Sequence, residues 1–154
     1  MSTQISSSYC LFDRGGQRFA LPTAIVQEAV TVGEIVPIPR SPDVLVGVTN
    51  LRGTLLPVFD FDSALGVQSE VLPQRSTLLV IRESTGQAFG FLTDRVSGVR
   101  EMASTGLQTI PGENGSILSG IWPDVDVLMV YPVESGGIQT LLRQFTRDLE
   151  NSVR

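Results

Sequence analysis

VLVGVTNLRGTLLPVFDFDSALG, residues 44–66, holds two strand-length apolar runs, Val44 to Thr49 and Leu55 to Phe61, on either side of Asn50-Leu51-Arg52-Gly53. Both runs are rich in β-branched and aromatic residues, and Asn and Gly suit the positive φ angles of a tight connection, so the stretch reads as a β-hairpin. A leucine at such a tip has no local reason to face water. The arginine beside it, held on a short turn, is a charge presented at a fixed place.

Before this hairpin, residues 9–21 form another: YCLFDR, a turn at Gly15-Gly16, then QRFAL, closed by Pro22. The following TAIVQEAV suits either one or two helical turns or a direct run into a strand; a short turn and then a strand from about Gln27 to Val32 is the favoured reading. Three prolines, Pro37, Pro39 and Pro42, confine the next segment to a sheet edge or an irregular crossing. Pro57 asks the same of the second hairpin arm, either an edge or a bulge. Asp62 to Gly66 reads as one helical turn with an acidic or serine cap and a glycine stop, and residues 67–75 read as a linker.

Past the linker the pattern begins again. Gly16-Gln17-x-Phe19 is matched by Gly86-Gln87-x-Phe89, 70 residues on, and Ile38-Pro39 by Ile110-Pro111, 72 on. ILSGIWPDVDVLMVYPV repeats the central hairpin at 73, pairing Gly47 with Gly120, Val48 with Ile121 and Leu55-Leu56 with Leu128-Met129. The repeat predicts an internal duplication into two similar all-β lobes of about 60–70 residues. Their expected bounds are about 9–66 and 76–135, followed by a C-terminal helix over about 136–150, where Ile138, Leu141, Leu142, Phe145 and Leu149 recur at helical spacing.

Composition removes several kinds of chemistry. The 154 residues contain no histidine, which excludes Ser-His-Asp and Cys-His nucleophiles and HExxH zinc sites. All eleven basic residues are arginines, so a lysine-bearing phosphate loop and Schiff-base catalysis are also excluded. Cys10 has no cysteine to pair with and reads as a small apolar side chain in a strand. A net charge of −5 and a pI near 4.6 disfavour a broad nucleic-acid face. Residues 1–8 show no secretory pattern, and no apolar run approaches the roughly 20 residues of a membrane span, so the expected setting is intracellular and soluble. The 42% hydrophobic residues and mean hydropathy of +0.18 lie towards the apolar side for a small chain, which favours the expectation that some apolar surface is kept for a partner.

The pairs Asp60/Asp62 and Asp124/Asp126 lack the ligand count of a calcium loop and read as caps and turn residues. The Gly-rich stretch Pro111 to Gly120 reads as a hairpin loop. Arg52 is the stronger candidate, because arginine is enriched in interface hot spots and its planar guanidinium forks onto carboxylates and stacks on aromatic rings. No cofactor or metal is expected.

The chain resembles the CheW family of chemotaxis adaptors. The resemblance rests on VxxGVxNLRGxxLPVxDxxxxLG over Val44 to Gly66, GQRFALP in the opening hairpin, IxPxP at Ile35 to Pro39 and GFLTDRVSGV at Gly90 to Val99, and covers roughly Ser8 to Arg147. It implies a mainly β fold of two intertwined five-stranded, SH3-like barrels around a shared apolar core, without catalytic activity. It also implies two partners, the regulatory domain of a CheA-type histidine kinase and the cytoplasmic tip of a chemoreceptor, with recruitment from the cytoplasm to receptor arrays. Carried onto this sequence, the groove between lobes is lined by Thr23, Val26, Ala29 and Val96, with Asn50, Leu51, Arg52 and Gly53 on the hairpin nearby. Tyr131-Pro132-Val133-Glu134 departs from the acidic residue that many members carry there, so the kinase-facing part of lobe two is left unassigned. The alternative from another class is a β-barrel that binds a small ligand or oligosaccharide.

Overall fold

A computed structural model describes residues 6–82, 86–111 and 117–130. Twelve strands occupy them: β1 (Ser6–Arg14), β2 (Gln17–Pro22), β3 (Val26–Thr31), β4 (Ile35–Val36), β5 (Leu45–Leu51), β6 (Thr54–Phe59), β7 (Thr77–Arg82), β8 (Ala88–Thr93), β9 (Arg95–Ala103), β10 (Gln108–Thr109), β11 (Leu118–Trp122) and β12 (Val127–Val130). One helical turn, α1 (Asp62–Leu65), follows β6 and ends on Gly66 in the left-handed conformation. Short 3-10 turns stand at Thr23–Ile25, Pro73–Arg75 and Ser104–Gly106. The expected C-terminal helix over 136–150 and the segment Tyr131 to Glu134 lie outside the described residues.

The strands form two six-stranded sheets, ordered β10-β11-β12-β2-β1-β9 and β3-β7-β8-β6-β5-β4. Each has five full strands and a two-residue sixth, β10 or β4. Reading β1–β6 onto β7–β12 turns one order into the other, so the fold has the pseudo-two-fold symmetry that a duplication leaves. The sheets cut across the division of the chain at residues 67–75. The opening hairpin β1–β2 pairs with β9 and β12, while β7–β8 pairs with β3 and β6. Each sheet thus borrows one hairpin from the other half, held on one side by a parallel ladder: Ala20 beside Met129, and Gly90 beside Val58.

Registers correct the alignment of the two copies. Gly47 faces Val58 just after a bulge at Leu45/Gly47, and Gly120 faces Met129 just after a bulge at Leu118/Gly120. The first arms are therefore 73 residues apart and the second arms 71. Leu56 and Pro57 match Val127 and Leu128, rather than Leu55-Leu56 matching Leu128-Met129, because the second copy's hairpin connection is two residues shorter. Pro57 sits where the ladder to β8 has not yet begun, since that ladder starts at Val58, and so its missing N–H costs no bond there.

Both bulge glycines admit a neighbouring backbone. A Cβ on Gly47 would lie 2.3 Å from the Val36 carbonyl oxygen, and one on Gly120 would lie 3.0 Å from that of Gln108, the equivalent residue of β10. Gly47→Ala is expected to push β4 off β5 and cost about 1–3 kcal/mol. Gly120→Ala, where the nearest atom is the movable Leu107 Cδ1, should cost less; thermal denaturation of the two variants measures the difference.

One aromatic core joins the sheets. Phe12 stacks on Phe19 and meets Phe91 edge-on; Phe91 meets Phe61, which stacks on Phe59, and Phe89 closes the cluster. All six rings are buried, with Cys10 beside them. Burial pushes the Cys10 thiol pKa up, consistent with a small apolar role.

Candidate functional site

The β5–β6 hairpin turns tightly at Arg52-Gly53, with φ of 49° and 88°, and Asn50 and Leu51 belong to the strand before it. Positive φ at both central residues defines a type I′ turn, whose twist matches that of the paired strands. Asn50 takes a role other than the left-handed one expected of it: its side-chain oxygen accepts the Gly53 N–H at 2.8 Å. Arginine occupies the position where Asn, Asp or Gly is at ease. A non-glycine residue in that region is uncommon, and Arg40 and Asp126 share it with Arg52 here.

Arg52 is not the free charge that its turn position suggests. Its guanidinium donates to the Glu28 carboxylate on β3 while its side chain stays 64% exposed, against 28% for Glu28. The leucine assignment also changes. Leu51 is half-buried against the cluster of Leu56, Val58, Leu78 and Val80, and the tip's exposed leucine is Leu55, at 70%. Sequence reasoning missed Leu55 because the hairpin parity was undetermined; the alternation Leu55 out, Leu56 in follows once Leu56 is known to be core.

Of the proposed groove residues, Thr23, Val26 and Ala29 lie on the 3-10 turn and β3, the strand that the Arg52–Glu28 pair ties to the hairpin. Thr23 spends its hydroxyl on the Ser8 carbonyl at 3.2 Å, Val26 packs at the margin of the aromatic core, and Ala29 is exposed. Val96 lies in the other sheet, paired with Phe12, and is the pseudo-two-fold mate of Val26: each stands at a bulge, Val26/Glu28 or Val96/Gly98. Asn50, Leu51, Arg52 and Gly53 share the hairpin, β3 is tied to it through Glu28, Thr23 reaches β1, and Val96 stands in the other sheet. A recess of about 180 Å³ lies beside the tip, floored by Leu51, Leu56 and Val80 and edged by Arg52 and Arg82.

A second polar constellation gave no sequence signal of its own. Arg14, 3% exposed at the end of β1, reaches Asp62 at 2.6 Å, Asp94 at 3.2 Å and Asp60 at 3.5 Å. Ser69 bonds Asp62 through its N–H and Asp94 through its hydroxyl, and Gly15 N–H bonds Asp94. The knot ties β1, the end of β6, the β8–β9 corner and residues 67–75 together. Asp60 and Asp62 are thus turn residues, as Asp60 Oδ1 accepts the Asp62 N–H at 2.8 Å, and ligands of a buried guanidinium as well. Among the described residues no group of His, Cys, Asp and Glu is disposed to hold a metal ion. A recess of about 430 Å³ opens beside Asp60, Asp62 and Asp43.

Burial is the main cause pushing the Asp60 pKa up, joined by the Asp62 charge and opposed by the Asp62 N–H bond and Arg14. A carboxyl raised in the fold gives stability that is full below its unfolded pKa and is lost as pH rises through its folded pKa. Asp60→Asn, which keeps the oxygen facing the Asp62 N–H, is therefore expected to match or exceed the native chain in urea at pH 7. The difference should close near about pH 4, where carboxyls protonate. Asp13 has the opposite sign: bonds from Arg18 first, then Arg95, hold its pKa below the usual range, so its contribution disappears on acidification.

A mainly β chain of two duplicated, hairpin-exchanged sheets, with a paired cation held on a tight turn, defines the class. The CheW-like domain model matches residues 8–133, and the chain belongs to that family. It is 29% identical over 100 residues to the chemotaxis protein CheW of Rhizobium meliloti, covering 65% of this chain and 64% of that protein. It is 26% identical over 118 residues to CheW of Helicobacter pylori, covering 75% and 71%. The chain thus spans about two thirds of the length of these relatives. The fold is similar to the crystal structure of scaffolding protein TtCheW from Thermoanaerobacter tengcongensis, with a TM-score of 0.70 and 22% identity over 82% of this chain and 89% of that one. Among the described residues no helix is long and apolar enough to cross a membrane.

Proposed function

We propose that the chain is a non-catalytic adaptor that couples chemoreceptor cytoplasmic tips to the regulatory domain of a CheA-type histidine kinase. It acts in the cytoplasm and reaches receptor arrays through those partners. Family membership supports this reading, and the observation that carries it is Arg52: an arginine kept in a left-handed turn position, oriented by Glu28, beside the exposed Leu55. Arginine is enriched among interface hot spots, and Leu55 adds exposed apolar area beside it. Asn50, Leu51 and Gly53 build that surface in this account, Thr23, Val26 and Ala29 extend it along β3 and the turn before it, and Val96 belongs to the equivalent position of the other sheet. Holding two partners on one rigid body raises their effective concentration toward each other, and catalysis stays in the kinase.

Arg52→Asn separates folding from binding. Asparagine tolerates the left-handed position, so the variant is expected to fold at native stability or slightly above, while affinity for a receptor fragment or kinase regulatory domain falls about tenfold or more. Undiminished binding to both partners would remove the hairpin from the interface.

A further inference from the structure

We propose that the recess beside the hairpin tip is a receptor for one glutamate side chain of the protein partner; the proposal rests on the adaptor reading and specifies the chemistry of its contact. Arg82 carries it. Its Nε donates to Gln27 Oε1 and its Nη1 to the Gly86 carbonyl, both at 2.6 Å. These acceptors are neutral, and among the described residues no carboxylate pairs with Arg82, whereas Arg14, Arg18, Arg52 and Arg95 each have at least one; Arg82 is the unpaired arginine that lines this recess. Among the described residues the guanidinium is thus oriented by neutral acceptors alone.

Arg52 faces the same recess, its charge balanced by Glu28, so among the described residues the rim carries a net positive charge on a chain whose total is −5. The floor is apolar: Leu56 and Val80 are buried, and Leu51 and Ala88 are half-buried. At about 180 Å³ the space takes a single side chain and not a helix. Two methylenes against that floor and a carboxylate at its basic rim describe glutamate. Aspartate is too short to cover the floor, and glutamine lacks the charge. An arginine fork recognises a carboxylate with two parallel N–H donors, which lysine cannot reproduce.

The full chain, 15N-labelled, is titrated with N-acetylglutamate N-methylamide and, in parallel, with its glutamine analogue, following the Nε–H signals of Arg82 and Arg52. Saturable shifts are expected with glutamate only, absent in Arg82→Gln. An equal response to glutamine, no saturation, or an unchanged response in Arg82→Gln overturns the proposal. The second arm measures binding of a receptor cytoplasmic fragment. Arg82→Gln is expected to weaken it about tenfold and Arg82→Lys to recover only part. Should the native chain and Arg82→Gln bind the fragment equally, the glutamate recess is wrong and the adaptor reading stands. Should the native chain bind no receptor fragment and no kinase domain, the adaptor reading falls, and the glutamate titration alone decides the recess.

Discussion

Arg14→Met is expected to lower the unfolding free energy by about 3–5 kcal/mol, the cost of breaking a buried charge network from one side. Three carboxylates converge on that guanidinium, and its removal leaves Asp60, Asp62 and Asp94 facing one another in a partly buried site. For a chain of this length the melting temperature should fall by about 10 °C. Urea titration followed by circular dichroism measures the loss, and adding Asp60→Asn to Arg14→Met should return part of it by removing one of the stranded charges. A loss under about 1 kcal/mol, typical of exposed pairs, would mean that the knot is an ornament of the surface.

Phe91→Ala should cost a similar amount, about 3–5 kcal/mol, through a cavity at the centre of the core. Phe91 is the ring that joins the sheets, 5.2 Å from Phe12 in one and 4.6 Å from Phe61 beside the other. Because the hairpins are exchanged, neither half keeps a complete sheet on its own, and the loss should appear as one cooperative transition at lower denaturant. Phe91→Leu should lose only a fraction as much. A Phe91→Ala variant that unfolds in two separated steps would show that the halves are stable independently.

Much of this fold is written locally. Apolar alternation, Gly15-Gly16 and Arg52-Gly53 mark the hairpins, Pro22 ends β2, and the recurring Gly-Gln-x-Phe and bulge glycines betray the duplication. What could not be read is set by distant pairing. Nothing in YCLFDR says that β1 will join β9 rather than a strand of its own half. The two-residue difference between the hairpin connections is hidden because Leu-Leu and Leu-Met look alike at either offset.

The site divides in the same way. Arg52 was visible from its turn, whereas its partner Glu28 lies 24 residues away and is one of sixteen acidic residues. The choice between Leu51 and Leu55 as the outward leucine required knowing which face of β6 meets β7 and β8. Arg14 carries no local mark of its role, because its carboxylates come from segments 48 and 80 residues on.

The most direct measurement asks whether one molecule of this chain holds both partners together. Sedimentation velocity on the native chain mixed with a receptor cytoplasmic fragment and a kinase regulatory domain is expected to show a ternary species, with neither partner displacing the other. Mutual displacement, or binding of neither, would contradict the adaptor account.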